Sequence, residues 1–342
     1  MKAVRFHQHG GAEVLKYEEA PEPKIGPNDV LIRVKACALN HLDIWVRQGL
    51  PFVKIPLPHI SGNDAAGEIV EKGEAVAHLR KGERVLVAPG ISCGRCEMCL
   101  QGLDNSCDLY QLVGYQIDGG YAEYVKVPAV NALPIPTGLT FEEAASVPLV
   151  FLTAWHMLVT RAKLKPFEKV LIIGGGSGVG IAAIQLAKLL GAQVITTAGS
   201  EEKLQKCRGL GADETLNHYT DDIVKEAKAW TGGRGVDVVF EHVGPATWEK
   251  SIRSLAKNGR LVTCGATTGP EATLDIRWVF SRKISILGSY MGAKSELLEV
   301  LKRFEEKRLR AVVDKIFPLQ EAASAQKYME DKKQFGKILL IP

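Results

Sequence analysis

Four cysteines fall within one short stretch, CGRCEMCLQGLDNSC, at Cys93, Cys96, Cys99 and Cys107. Their C-x2-C-x2-C-x7-C spacing lets a single loop wrap its thiolates around one ion, and a tetrahedral set of sulfur donors suits Zn(II). An iron–sulfur site is the rival, but the bacterial ferredoxin run closes with a three-residue gap and a proline, both missing here. A nucleic-acid-reading zinc ribbon is disfavoured because no basic or aromatic cluster accompanies the cysteines. With sulfur at every ligand position, no coordination site stays open for water or substrate, so the expected zinc is structural. Cys37, Cys207 and Cys264 lie in strand- or helix-like runs and read as small buried hydrophobes.

A second chemical signal is GGGSGVG, Gly174 to Gly180, which follows the aliphatic run VLII and opens a helix-period segment. Backbone amides at a helix N-terminus attract a pyrophosphate, and small residues let the backbone approach it. The strict G-x-G-x-x-G pattern is broken, because Ser177 stands at the middle glycine position. The alternative is a tight strand-to-helix turn with no ligand. The next strand ends QVITTAGS, with Ala198, Gly199 and Ser200 at its tip and no carboxylate to accept a ribose 2′-hydroxyl. Ser200 and Lys203 can donate to a 2′-phosphate, so NADP(H) is favoured over NAD(H). Glu201 and Glu202 are the counterweight, although the start of the next helix is a natural place for acids.

The elements that must carry these residues differ along the chain. From Val170 to about Gly288, aliphatic runs alternate with helix-period segments, as in VLIIG, QVITTAG, VDVVFEHVG and RLVTCGA, which is the pattern of a parallel sheet covered on both faces. Before it, short runs such as VLIRVKACAL, GEIVEKG and YAEYVKV, separated by glycine and proline turns, read as antiparallel β structure. After it come two helical segments and two strands ending in FGKILLIP. The expected fold class is α/β in two domains, as a chain of 342 residues suggests. Hydrophobic content of 46%, charged content of 24% and a net charge of +4 with interleaved signs give no reason for a nucleic-acid or membrane partner. The start, MKAVRFHQHGG, has no apolar signal core, and the most apolar window, Ala144 to Val159, is interrupted by Ser146, Pro148 and His156. A cytoplasmic protein is expected, and a reducing compartment favours metal ligation over disulfides for its cysteines.

From KAVRFH through the cysteine lobe, DGGYAEY, the glycine-rich turn, VDVVFEHVG and GRLVTCG to FGKILLIP, the whole chain resembles the medium-chain dehydrogenase/reductase superfamily of zinc alcohol dehydrogenases and quinone oxidoreductases. The resemblance implies a chaperonin-10-like catalytic β domain over 1–150 with the zinc lobe at 90–110, a Rossmann domain over 151–285, and a return to the catalytic domain over 286–342. It also implies a homodimer or homotetramer. The family's catalytic-zinc ligands are replaced at their matching positions: Cys by Asn40, His by Asn63 and the second Cys by Leu149, while the Glu beside the His is Asp64. The proton-relay Thr is Leu42. The segment ALNHLDIWVRQG instead resembles the zinc-independent quinone and enone reductases, with Trp45 where those often carry a Tyr, which leaves the general acid unassigned.

These positions imply NAD(P)H-dependent hydride transfer to a conjugated carbonyl or quinone. Asn40 would bond the substrate oxygen and Asp43 would orient it. Arg47, Thr153, Gly175, Ser177, Gly178, Val179, Gly180, Ser200, Lys203, His242, Val243 and Gly244 would border the cofactor. His41 and His59 are expected to be ordinary hydrogen-bonded histidines. Two alternatives stand beside this: a zinc-type alcohol dehydrogenase that gathers a second metal, and a non-catalytic NADPH-binding protein.

Overall fold

The computed structural model describes every residue except Phe52, and the chain divides into two compact units, Met1–Leu149 with Ala293–Pro342, and Val150–Gly292.

In the second unit six strands form one parallel sheet, and counted along the unit their order is 3-2-1-4-5-6: Glu214–Asn217, Gln193–Ala198, Lys169–Ile172, Val236–Glu241, Leu255–Thr263 and Ser285–Gly288. This is the order of a doubly wound dinucleotide fold, with its switch point beside the first strand. Leu171, Ile195, Val239 and Leu261 are buried in its core, as the unbroken aliphatic runs require. The expected boundary at 285 is corrected here. Ser285–Gly288 pairs in parallel with Leu255–Thr263, so it is the sixth strand of this sheet and the unit runs on to Gly292.

The first unit is built on a seven-stranded sheet whose centre is the long strand Asp29–Ala38, paired antiparallel with Asp64–Lys72, Tyr124–Pro128 and Lys337–Ile341. Val30, Ile32 and Val34 point into one core with Ile69, Val85, Val125, Ile338 and Leu340, matching the alternation of their sequences. Two strand registers bring distant residues together at one end of this sheet: Ala38 faces Asp64, and Ala38 also faces Leu339. The last strand enters this neighbourhood beside the short helix His41–Gln48, and Leu39 donates its N–H to the Ile338 carbonyl at 2.9 Å. No helix among the described residues is long and apolar enough to cross a membrane.

Candidate active site and metal centre

Around the start of helix His41–Gln48 the first unit buries an unusual number of polar side chains: Asn40, Asp43, Arg47, Asn63 and Asp64 are each 5% exposed or less. Asp43 closes the first helical turn by accepting from the Asn40 N–H at 2.7 Å, and it also accepts from Gly62 N and the Tyr121 hydroxyl, each at 3.1 Å. Burial pushes its carboxyl up to about 6, against these bonds, which favour the ionised form. Burial likewise raises Tyr121 and Cys37 well above their usual ranges.

Asn40 does not stand alone. Its Nδ2 donates to Asp64 Oδ2 at 2.9 Å, and its Oδ1 accepts from Lys337 Nζ at 2.6 Å. Lys337, 3% exposed, also donates to the Leu39 carbonyl at 2.8 Å and to Asp64 Oδ2 at 3.2 Å. An ammonium has three N–H groups, and all three are used. The other oxygen of Asp64 accepts from the Leu149 N–H at 2.9 Å. Three of the four positions matched to the catalytic-zinc segments, Asn40, Asp64 and Leu149, thus converge on an ion pair. Asn63 turns away, donating from Nδ2 to the Val113 carbonyl at 2.5 Å. Sequence reasoning missed Lys337 entirely.

The Arg47 guanidinium is fully buried and donates to Gly10 O at 3.2 Å, to Gln326 Oε1 at 2.6 Å and to Glu330 Oε1 at 2.6 Å. Those bonds tie the helix to Ala322–Glu330 and engage the guanidinium within its own unit. His59 is buried with Nδ1 3.4 Å from Asp118, and burial lowers its pKa against the pull of that carboxylate. His41 packs edge-on against Trp45 with ring centroids 5.6 Å apart.

In the second unit Ser177 caps helix Gly178–Leu189: its hydroxyl accepts from Gly180 N at 3.0 Å and donates to Gly174 O at 2.8 Å. A serine at the middle glycine position therefore serves as the cap. The first intrahelical bond is Ile181 N to Ser177 O, so the amides of Gly178 and Val179 precede it and point out of the helix end. A Cβ on Gly180 would collide with the Gly174 carbonyl, and one on Gly175 with the Thr196 hydroxyl. These two positions need glycine. His242 places Nε2 2.8 Å from Ile173 O and 3.4 Å from the Ser177 hydroxyl, with burial lowering its pKa. Val243 and Gly244 give their N–H groups to Glu241, at 2.6 and 3.0 Å, so they can border a nucleotide only through other atoms. Ser200 caps the helix Glu201–Gly209, and the two acids behind it are engaged along that helix, Glu202 with Lys206 at 2.6 Å and Glu201 with Arg208 at 3.1 Å. Thr153 is buried on the helix Pro148–Trp155.

Cys93, Cys96, Cys99 and Cys107 place their sulfurs within 4.8 Å of one another, the one group of possible metal ligands among the described residues. Cys93 and Cys99 are 3.9 Å apart, Cys96 and Cys99 3.5 Å. A tetrahedron with Zn–S of about 2.3 Å has sulfurs about 3.8 Å apart, so the set fits zinc. N–H groups of Arg95 and Cys96 hold the Cys93 thiol down at about 6. Cys37, Cys207 and Cys264 stand outside the group, Cys37 and Cys207 buried and Cys264 half-buried.

Residues 26–137 match the alcohol dehydrogenase GroES-like domain family, and residues 178–306 the zinc-binding dehydrogenase family. The alcohol dehydrogenase of Geobacillus stearothermophilus is 35% identical across 99% of both chains. Quinone oxidoreductase 1 of Escherichia coli is 29% identical, again across 99% of both. A solved NAD-dependent alcohol dehydrogenase superposes with a TM-score of 0.97 at 47% identity, covering all of both chains. Matched end to end by such relatives, the chain belongs to the medium-chain dehydrogenase/reductase superfamily and is an NAD(P)-dependent oxidoreductase.

Proposed function

We propose that the enzyme reduces a conjugated carbonyl or quinone with NAD(P)H and without a catalytic zinc. The observation that carries this reading is the ammonium of Lys337, bonded to Asn40 and Asp64 at the positions matched to the zinc-binding segments. An ammonium and a divalent cation cannot share one small buried space at bonding distance from the same oxygens. Neutral amides and an alkyl group at Asn40, Asn63 and Leu149 are poor substitutes for thiolate and imidazole. The reduced nicotinamide would deliver a hydride to the electrophilic carbon and become oxidised, charge would develop on the substrate oxygen, and a proton from water would complete the product. Asn40 is the group we assign to that oxygen.

For the cofactor we favour NADP(H). The second strand of the nucleotide sheet ends without a carboxylate, Glu201 and Glu202 are paired along their own helix, and Ser200 and Lys203 stand in its first turn, where a 2′-phosphate would sit. Several relatives are named NAD-dependent, among them the alcohol dehydrogenase of Sulfolobus acidocaldarius at 34% identity, so both cofactors belong in the assay. The four cysteines would hold one structural zinc. The exposed edge strand Ser285–Gly288, with Ile286 37% exposed and Ile276 and Phe280 each 69% exposed nearby in sequence, supports a homo-oligomer, which we take as a dimer or tetramer; the cytoplasm is the compartment we assign.

Steady-state rates with NADPH and NADH against an enone, a quinone and a set of alcohols test the reading. It expects reduction of the enone or quinone, faster with NADPH. Turnover confined to alcohols would replace it with the alcohol dehydrogenase reading.

A further inference from the structure

Asn40 carries one Oδ1 and two N–H groups, and the two partners seen here decide which end of the amide points where. Lys337 has only donors to offer, and Asp64 as a carboxylate only acceptors. With Oδ1 at 2.6 Å from Lys337 Nζ and Nδ2 at 2.9 Å from Asp64 Oδ2, the flipped amide would set NH2 against an ammonium and C=O against a carboxylate. The flip is forbidden by charge on both sides. Both ions are locked in turn, Lys337 by the Leu39 carbonyl and Asp64 by the Leu149 amide. One N–H of Asn40 is left over, and its direction is fixed.

We propose that Lys337 is a positioning residue for reduction: with Asp64, it orients the Asn40 carboxamide and polarises it so that the remaining N–H is a strong donor to the substrate oxygen. A cation on an amide oxygen draws electron density from the nitrogen and sharpens its N–H as a donor. The benefit grows as the hydride arrives and the carbonyl oxygen gains enolate charge, so it appears in kcat more than in KM. Lys337 itself has no N–H to spare for substrate. This inference rests on the proposed reduction, and it names the source of polarisation at that site.

The test is a double-mutant cycle on the full-length enzyme with NADPH and an enone, using Asn40→Ala, Lys337→Met and both together. Each single change should lower kcat by about 10²-fold with a smaller effect on the KM for NADPH. Because Lys337 acts through Asn40, the double variant should be no more than about threefold slower than the worse single one. Lys337→Arg keeps a cation on the same oxygens and should retain more activity than Lys337→Met. Should Lys337→Met not fold, Lys337→Arg against Lys337→Gln, each with and without Asn40→Ala, gives the same comparison. Multiplying effects, or a kcat unchanged by loss of the lysine in a folded protein, overturns the inference while leaving the reductase reading intact. A wild-type enzyme inert toward every enone and quinone overturns the reading itself, and the inference with it.

Discussion

Replacing Arg47 by Met separates an interior strut from a cofactor contact, because the stem is kept and only the guanidinium is lost. The cost follows from its three acceptors. Gln326 is fully buried, so its Oε1 loses its partner without gaining water, at about 1–3 kcal/mol. Glu330 is 26% exposed and can rehydrate, so losing its 2.6 Å contact costs about 1 kcal/mol. Gly10 O, at 3.2 Å, adds little. The sum is about 2–4 kcal/mol, and at about 2–4 °C per kcal/mol for a unit of this size the Arg47→Met variant should unfold about 10 °C below wild type. Arg47→Lys can satisfy Gln326 or Glu330 but not both in the original fork, and should lose about half as much. Scanning calorimetry reads this directly, and fluorescence titration with NADPH, well below the transition, should give a Kd within about twofold of wild type. A melting temperature within about 2 °C of wild type together with a Kd weakened about tenfold or more would return Arg47 to the pyrophosphate and refute the packing argument.

Further consequences concern the buried acid and the cysteine lobe. Asp43 has its folded-state pKa raised to about 6 from an ordinary 3.8, so the folded protein holds that proton more tightly; its contribution to stability is fully present below pH 3.8 and lost as pH rises through 6. The difference is about 3 kcal/mol at 1.36 kcal/mol per unit, so wild type minus Asp43→Asn denaturation profiles between about pH 4 and 7 should slope downward, and parallel profiles would contradict this. The turns Glu97–Leu100 and Asp104–Ser106 bury no residue of their own, so a zinc held by the four cysteines would substitute for a core. Cys96→Ser should therefore lose the zinc and expose the lobe to protease between residues 93 and 107, while the NADPH Kd stays unchanged; a lobe that resists cleavage without metal would show that another contact holds it.

Some of this organisation is readable from the chain and some is not, for reasons of distance. The unbroken aliphatic strands of the second unit and the alternating ones of the first announce a parallel and an antiparallel sheet because burial on two faces or one leaves its own period. The four cysteines are local, and so is their geometry. Ser177 is ambiguous in sequence because a cap and a missing glycine look alike; only the bonds to Gly180 and Gly174 show which it is. Lys337 and Asn40 are 297 residues apart, and nothing in GKILLIP marks its lysine as buried until Ala38 is seen facing both Leu339 and Asp64. The partners of Arg47 are hidden for the same reason. They lie on a helix near the other end of the chain, and an arginine one turn from the site reads from sequence as a phosphate ligand.

On the proposed reading, reduction proceeds with a lysine, and no metal, at the reacting centre. Metal content per chain decides the matter, measured by inductively coupled plasma mass spectrometry alongside enone and quinone reduction before and after dialysis against a chelator. One zinc per chain is expected, lost only with Cys93, Cys96, Cys99 or Cys107, and a rate that does not follow removal of any more labile ion. Two zinc ions per chain, with activity vanishing and returning as the second leaves and is restored, would put a metal where Lys337 stands and overturn the reading.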